Sequence, residues 1–273
     1  MDRKVIVLSV AGSDPSGGAG IQADIKAISA LGGYAATAIT AVTVQNTLGV
    51  SDVYSLPPDL IGKQMEAVLD DLQPDAVKIG MTGSAAVVRE IARVLRQYQM
   101  TQVVFDPVMV STSGRRLMEE DAVEAVCEEL FPVTTLVTPN LHEAELLIGK
   151  PVRTVEEMLV AGKTLSERYG CAFLIKGGHL AGEEMCDVLC DSEQVHYYKS
   201  PRIESGNLHG TGCTLSSAIA TFMAQGCGLP DAVERAKHYT SAAIEAGRDL
   251  HIGHGNGPLW HFSDRETTES SEE

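Results

Sequence analysis

Positive charge is scarce in this 273-residue chain: 21 lysines and arginines face 37 aspartates and glutamates, for a net charge of −16. Nucleic-acid binding needs clustered basic side chains, so that class is excluded, and a polybasic membrane-surface site with it. No run of about 20 apolar residues is present to span a bilayer. Met1-Asp2-Arg3-Lys4-Val5 leads into an apolar run too short for a secretion signal. The six cysteines form no framework. Cys186 and Cys190 lack the second pair or nearby histidines of a zinc pattern; their spacing puts both on one face of a strand, as small core residues. All six read as reduced thiols of a cytoplasmic protein. Two nucleotide-binding loops are missing as well. Residues 11–20 are not Gly-x-Gly-x-x-Gly and lack a Gly-Lys-Ser/Thr ending. Gly162-Lys163-Thr164 has that ending, but Glu157 stands where the first glycine belongs. No repeat or linker divides the chain, so residues 1–262 read as one domain. Residues 263–273 carry five acids and one base, the composition of a disordered tail.

What is present is an alternation of strands and helices, with 44% hydrophobic residues to fill a core. Val5 to Val10 reads as a buried strand, residues 11–20 as a small-residue loop, and Ile21, Ile25, Ile28 and Leu31 as one face of a helix. Further strands are expected over 34–44, 76–79, 103–105, 135–137 and 172–175. Helices are expected over 60–72, 85–98, 122–130, 143–148 and 155–169. Residues 185–190 and 194–199 read as an antiparallel hairpin, and two long helices follow, from Thr214 and from about Asp231 to Gly247. This order predicts an α/β fold: a mostly parallel central sheet, helices on both faces and an antiparallel edge hairpin. Gln45, Asp106, Asn140 and Lys176 each fall at the end of a strand, where open α/β sheets bind ligands.

The stretch Ser205-Gly206-Asn207-Leu208-His209-Gly210-Thr211-Gly212-Cys213-Thr214 carries the chemistry. A glycine-rich turn opening into a helix aims free N–H groups and the positive end of the helix dipole at one spot, a cradle for phosphate. Cys213 stands at that helix start, where the dipole favours thiolate. Residues 109–118, with small polar residues, Gly114, Arg115 and Arg116, read as a flap closing over phosphate.

These landmarks together resemble the ribokinase-like kinases. Within them the chain resembles the hydroxymethylpyrimidine/phosphomethylpyrimidine kinases of thiamine synthesis. The resemblance rests on Ala11-Gly12-Ser13-Asp14 with Gly17 to Asp24, on Thr43-Val44-Gln45-Asn46-Thr47, and on Lys78-Ile79-Gly80-Met81. It extends to Asp106-Pro107-Val108-Met109, Thr138-Pro139-Asn140 with Glu143, Lys176-Gly177-Gly178-His179 and His209 to Thr214. It implies the ribokinase-like three-layer fold and ATP-dependent phosphorylation of a hydroxymethyl group on a small heteroaromatic ring, then of the monophosphate.

On that resemblance, Gly210, Thr211, Gly212 and Cys213 would receive the moving phosphoryl group, and Lys176, Asn140 and Lys237 would meet ATP. Asp106 and Glu143 would hold Mg2+. Gly12, Asp24, Gln45, Met81, Val108 and His209 would surround the pyrimidine. Most sugar kinases of the superfamily carry aspartate as the base where this chain, like the pyrimidine-kinase branch, has Cys213; the resemblance leaves two readings open, a thiolate that takes the hydroxymethyl proton or catalysis by positioning and charge alone. A homodimer is implied too. A pyridoxal or pyridoxine kinase of the same superfamily is the alternative, and a ligand-binding module that lost turnover is a third reading.

Overall fold

The computed structural model describes residues 3–109, 117–178, 180, 182 and 184–262. Its strands are β1 (Ile6–Ser13), β2 (Tyr34–Asn46), β3 (Gly49–Ser55), β4 (Ala76–Ile79), β5 (Val103–Phe105), β6 (Leu136–Val137), β7 (Ala172–Ile175), β8 (Glu184–Cys190) and β9 (Val195–Pro201). They form one sheet in the order β3-β2-β1-β4-β5-β6-β7-β8-β9. Pairing is parallel from β2 through β7 and antiparallel at both ends.

Parallel neighbours need crossovers, and helices supply them: α1 (Gly20–Ala30), α2 (Pro58–Leu72), α3 (Ala85–Gln97), α4 (Glu120–Ala125), α5 (Leu141–Ile148) and α6 (Val155–Tyr169). α7 (Thr211–Ala224) and α8 (Leu229–Gly247) follow the last strand. Because side chains alternate along a strand, the sheet feeds two cores. Leu8, Val77, Ile79, Phe105 and Val137 pack under α2 to α6. Val7, Ala76, Val104 and Leu136 pack under α1, α7 and α8. This is the three-layer α/β arrangement expected. The middle strands are covered on both faces, and that is why they show in the sequence as unbroken apolar runs.

Local signals set most boundaries. α5 and α6 each begin with a capping box, Asn140 with Glu143 and Thr154 with Glu157, which satisfies N–H groups that a helix start leaves free. The differences from expectation have physical causes. β3, absent from the sequence reading, is a half-exposed polar edge with little hydrophobic signature. β1 continues three residues into the glycine loop, with a register shift between Ala11 and Ser13. The helix expected over 122–130 passes into a π-turn at Val126–Leu130; Pro132 follows and has no N–H to continue an α-ladder. α7 starts at Thr211, so Cys213 lies inside its first turn. Ile25 is 38% exposed, because α1 turns its Asp24 side inward instead. Cys186 and Cys190 are buried core thiols, as expected. No helix among the described residues is long and apolar enough to cross a membrane. The acidic tail, His179 and residues 110–116 of the expected flap lie outside the described residues.

Candidate active site

The carboxyl ends of the parallel strands deliver Gly12, Gln45, Met81, Asp106, Val108, Asn140 and Lys176 to one rim, and the start of α7 faces them. Between lies a cleft of about 450 Å3. Every residue expected at the site lines this cleft except Asp24.

Gly210 caps α7 with φ 89°, a conformation that favours glycine, and a Cβ there would overlap the Gly18 carbonyl oxygen. The loops after β1 and before α7 therefore touch backbone to backbone. A Cβ on Gly212 would come within 3.1 Å of Asp106 Oδ2 and 3.5 Å of Lys176 Nζ. That contact places the helix start against the charged pair across the cleft. The N–H groups of Gly212 and Cys213 have no hydrogen-bond partner among the described residues, while the Thr211 N–H is spent on Leu208 O at 3.3 Å. The C-terminal segment straps this helix start in place. His209 N–H donates to Gly257 O at 3.0 Å. Thr214 Oγ1 meets the buried His261 Nε2 at 2.9 Å, and the Asn207 amide donates to Gly247 O and Leu250 O.

Opposite, Lys176 Nζ donates to Asp106 Oδ1 at 2.6 Å, and Thr138 Oγ1 donates to the same oxygen at 3.0 Å. Burial pulls the Lys176 pKa down, but Asp106 and Glu143 outweigh it and hold the ammonium above its usual value. Glu143 is the reverse. Burial pushes its carboxyl up to about 7, with Asp106 adding to the rise and Lys176 opposing it. Its oxygens accept from Asn140 N–H at 2.8 Å and Met109 N–H at 3.4 Å. Asn140 Oδ1 is likewise occupied, accepting from Glu143 N–H at 3.0 Å. No group of three or more His, Cys, Asp and Glu fit for a metal is found among the described residues.

Cys213 corrects the expectation of a lowered thiol pKa. Burial pushes it up to about 11; Lys78 and the Gly20 N–H pull it down, Asp24 and Asp106 push it further up. Desolvation outweighs the helix dipole here.

Asp24 is the one expected contact that lies off the cleft. It is fully buried and paired with the fully buried Lys78 at 2.8 Å. Ser9 and Ser217 hydroxyls donate to it at 2.5 and 2.7 Å. An unpaired buried charge is costly, so a lysine inside the apolar run of β4 required a carboxylate, and Asp24 on the packed face of α1 is that partner. Ser217 lies one turn beyond Cys213 on α7, so the pair sits beneath the start of that helix.

On the other side, Met81 packs against Gly12, where a Cβ would lie 3.2 Å from Met81 Sδ. Gln45 and His209 touch at 3.1 Å, and His209 Nε2 meets Asp14 Oδ2 at 2.8 Å. At the far end Lys237 pairs with Asp187, whose Oδ1 accepts from Gly177 N–H at 2.7 Å. Arg202 donates to the carbonyls of Gly178, Leu180 and Gly182. Sequence reasoning missed Asp14, Lys78, Asp187 and Arg202. Lys78 and Asp187 had a readable signal, a charge inside an apolar strand; Arg202 had none.

A family model described as phosphomethylpyrimidine kinase matches residues 14–260. A hydroxymethylpyrimidine/phosphomethylpyrimidine kinase of Rhizobium meliloti is 48% identical over 258 residues, covering 94% of this chain and 97% of the relative. A crystal structure of phosphomethylpyrimidine kinase from Clostridium difficile superposes with a TM-score of 0.79 at 41% identity, over 88% of this chain and 100% of that one. Pyridoxal kinase from Staphylococcus aureus in complex with AMP-PCP gives a TM-score of 0.88 at 32% identity, over 96% of this chain and 95% of that one. The chain spans about half the length of the bifunctional thiamine-biosynthesis relatives it also matches.

Proposed function

Since the chain belongs to the phosphomethylpyrimidine kinase family, we infer that it transfers a phosphoryl group from ATP to the hydroxymethyl group of 4-amino-5-hydroxymethyl-2-methylpyrimidine, and then to the monophosphate, in thiamine biosynthesis. One observation supports the reading: the start of α7, where the N–H groups of Gly212 and Cys213 have no partner among the described residues, lies beside the Lys176–Asp106 pair. Phosphoryl transfer needs alignment and charge neutralisation more than covalent chemistry. Lys176 gives a fixed cation for the ATP phosphates. The amides of Gly212 and Cys213 take the charge that builds on the moving group, while Thr211, whose N–H is bonded to Leu208 O, shapes the turn. Cys213 stands where the attacking hydroxyl sheds its proton. Gln45, Met81, Val108 and Gly12 enclose the ring, and Asn140 and Lys237 border the nucleotide end. The pyridoxal alternative is disfavoured by likeness: 32% identity to the pyridoxal kinase against 48% to the pyrimidine kinase. Incubation with Mg-ATP and the pyrimidine alcohol is expected to yield mono- and diphosphate; transfer to pyridoxal alone would reverse the assignment.

Asp106 and Glu143 suit Mg2+, which keeps much of its water and takes few carboxylates. Asp106 Oδ2 is the oxygen left free of Lys176 and Thr138, whereas both Glu143 oxygens are bonded, so Glu143 would act through water. Bound there, the ion would neutralise phosphate charge. Glu143 is mostly protonated one unit below its pKa of about 7 and mostly ionised one unit above. A cation prefers the ionised form, so Mg2+ affinity measured calorimetrically with a non-hydrolysable ATP analogue is expected to rise about tenfold from pH 6 to pH 8. Glu143→Gln should lose the part of that rise that the nucleotide itself does not supply.

The six cysteines suit a reducing cytoplasm, and a periplasmic fraction holding the active protein would contradict it. Residues 1–262 act as one kinase domain in this reading. The exposed Val42, Val44, Leu48 and Tyr54 of the β2–β3 edge are the surface a homodimer would bury, and light scattering that returns a monomer would remove that part.

A further inference from the structure

Four polar groups on the pyrimidine side form a chain whose protons can be counted. His209 Nε2 lies 2.8 Å from Asp14 Oδ2 and 3.1 Å from Gln45 Nε2. Thr43 Oγ1 lies 3.0 Å from Ser13 O and 3.2 Å from Gln45 Oε1. Asp14 is a pure acceptor. It takes the N–H groups of Ser16 and Ala19 and the Ser16 hydroxyl. Burial alone would raise its pKa, but His209 and these donors bring it down to about 2. The His209 nitrogen that faces this carboxylate must therefore carry a proton, and a protonated nitrogen cannot accept from the Gln45 amino group. At the other end Thr43 has one hydroxyl proton. The Ser13 carbonyl can only accept and takes it, which leaves none for the Gln45 oxygen.

Turning the Gln45 amide by 180° removes both conflicts at once. The two orientations have the same shape, so the hydrogen-bond neighbours decide between them. The chain then runs without a clash. His209 Nε2–H donates to Asp14 and toward Gln45 Oε1. Gln45 Nε2–H donates to Thr43 Oγ1, and the Thr43 hydroxyl donates to Ser13 O. The His209 ring is held in place as well: any Cβ on Gly18 would overlap its Cδ2.

We propose that His209, anchored by Asp14, is a specificity-determining positioning residue: with Thr43 it pins the Gln45 amide with its carbonyl on the His209 side and its amino group on the Thr43 side. The proposal rests on the reading above that Gln45 faces the pyrimidine. The outer edge of the pinned amide offers an acceptor and a donor in one fixed order. It matches the exocyclic amine and ring nitrogen of a 4-aminopyrimidine. The 4-oxo analogue of the same alcohol presents the opposite order, a carbonyl acceptor beside a ring N–H. A free amide would rotate to greet it; a pinned one leaves two buried polar pairs unmade.

The test compares kcat and KM (or Ki) for the amino substrate and its 4-oxo analogue. The parent enzyme is expected to prefer the amine by about 10²-fold or more in kcat/KM, because a site whose buried polar groups are left unpaired rejects a mismatched analogue more strongly than an apolar pocket does. His209→Leu is expected to cut that preference below about tenfold, with the analogue binding more tightly and the amine less tightly, and the change falling on KM rather than kcat. His209→Gln retains a donor toward Asp14 and should keep most of the preference. Thr43→Val, nearly isosteric, releases the other end and should lower it in part; this variant decides the matter if His209→Leu does not fold. An unchanged preference in the folded variants, together with weaker amine binding in Gln45→Ala, overturns the pinning and leaves the Gln45 reading standing. Unchanged amine binding in Gln45→Ala overturns both.

Discussion

Cys213→Ala is expected to lower kcat by about 10²–10⁴-fold at saturating substrate, the usual contribution of a general base. The pH profile gives the sharper test. A base works only when deprotonated, and burial holds this thiol at about 11. The thiolate fraction therefore grows with every step of pH through the neutral and mildly alkaline range, and kcat should climb with it. In Cys213→Ala the climb should vanish. A slope that persists in the variant, or a loss below about tenfold, removes Cys213 from the base role and leaves catalysis to Lys176 and the amides of α7. A helix start lowers a thiol pKa only where it outweighs the cost of desolvation, and for the half-buried Cys213 desolvation is the larger effect.

The second large effect concerns stability. Lys78→Met is expected to cost about 3–5 kcal/mol, because it strands the Asp24 carboxylate in a dry interior. The double variant Lys78→Met with Asp24→Asn should recover most of that loss, since a buried ion pair replaced as a unit is often near neutral. Urea unfolding of the single and double variants measures both. If Asp24 instead held substrate, Asp24→Asn would raise KM and leave the unfolding midpoint where it was. That pattern would restore the reading that the buried pair displaced.

Lys78 and Asp24 also mark what the sequence could convey. The middle strands were legible because both their faces are covered, so Ala76 to Ile79 and Val103 to Phe105 stand out without any alternation. The rim residues were legible because each falls where a strand stops. β3 was not, since an exposed edge strand needs no apolar face and Ser51, Asp52 and Ser55 look like loop. Nor could spacing tell Asp24 from a ligand contact. A carboxylate on α1 looks the same in sequence whether it meets a pyrimidine or an ammonium, and only the packing of α1 between β1 and α7 decides. The Asp14–His209 contact joins residues 195 positions apart, beyond the reach of any local pattern.

The strap under α7 also fixes the helix start from two sides. Gly257 and His261 hold it on one flank, and the backbone at Gly18 meets it on the other. A segment clamped in this way has little freedom left to lose when a ligand arrives, so ordering it takes little from the binding free energy.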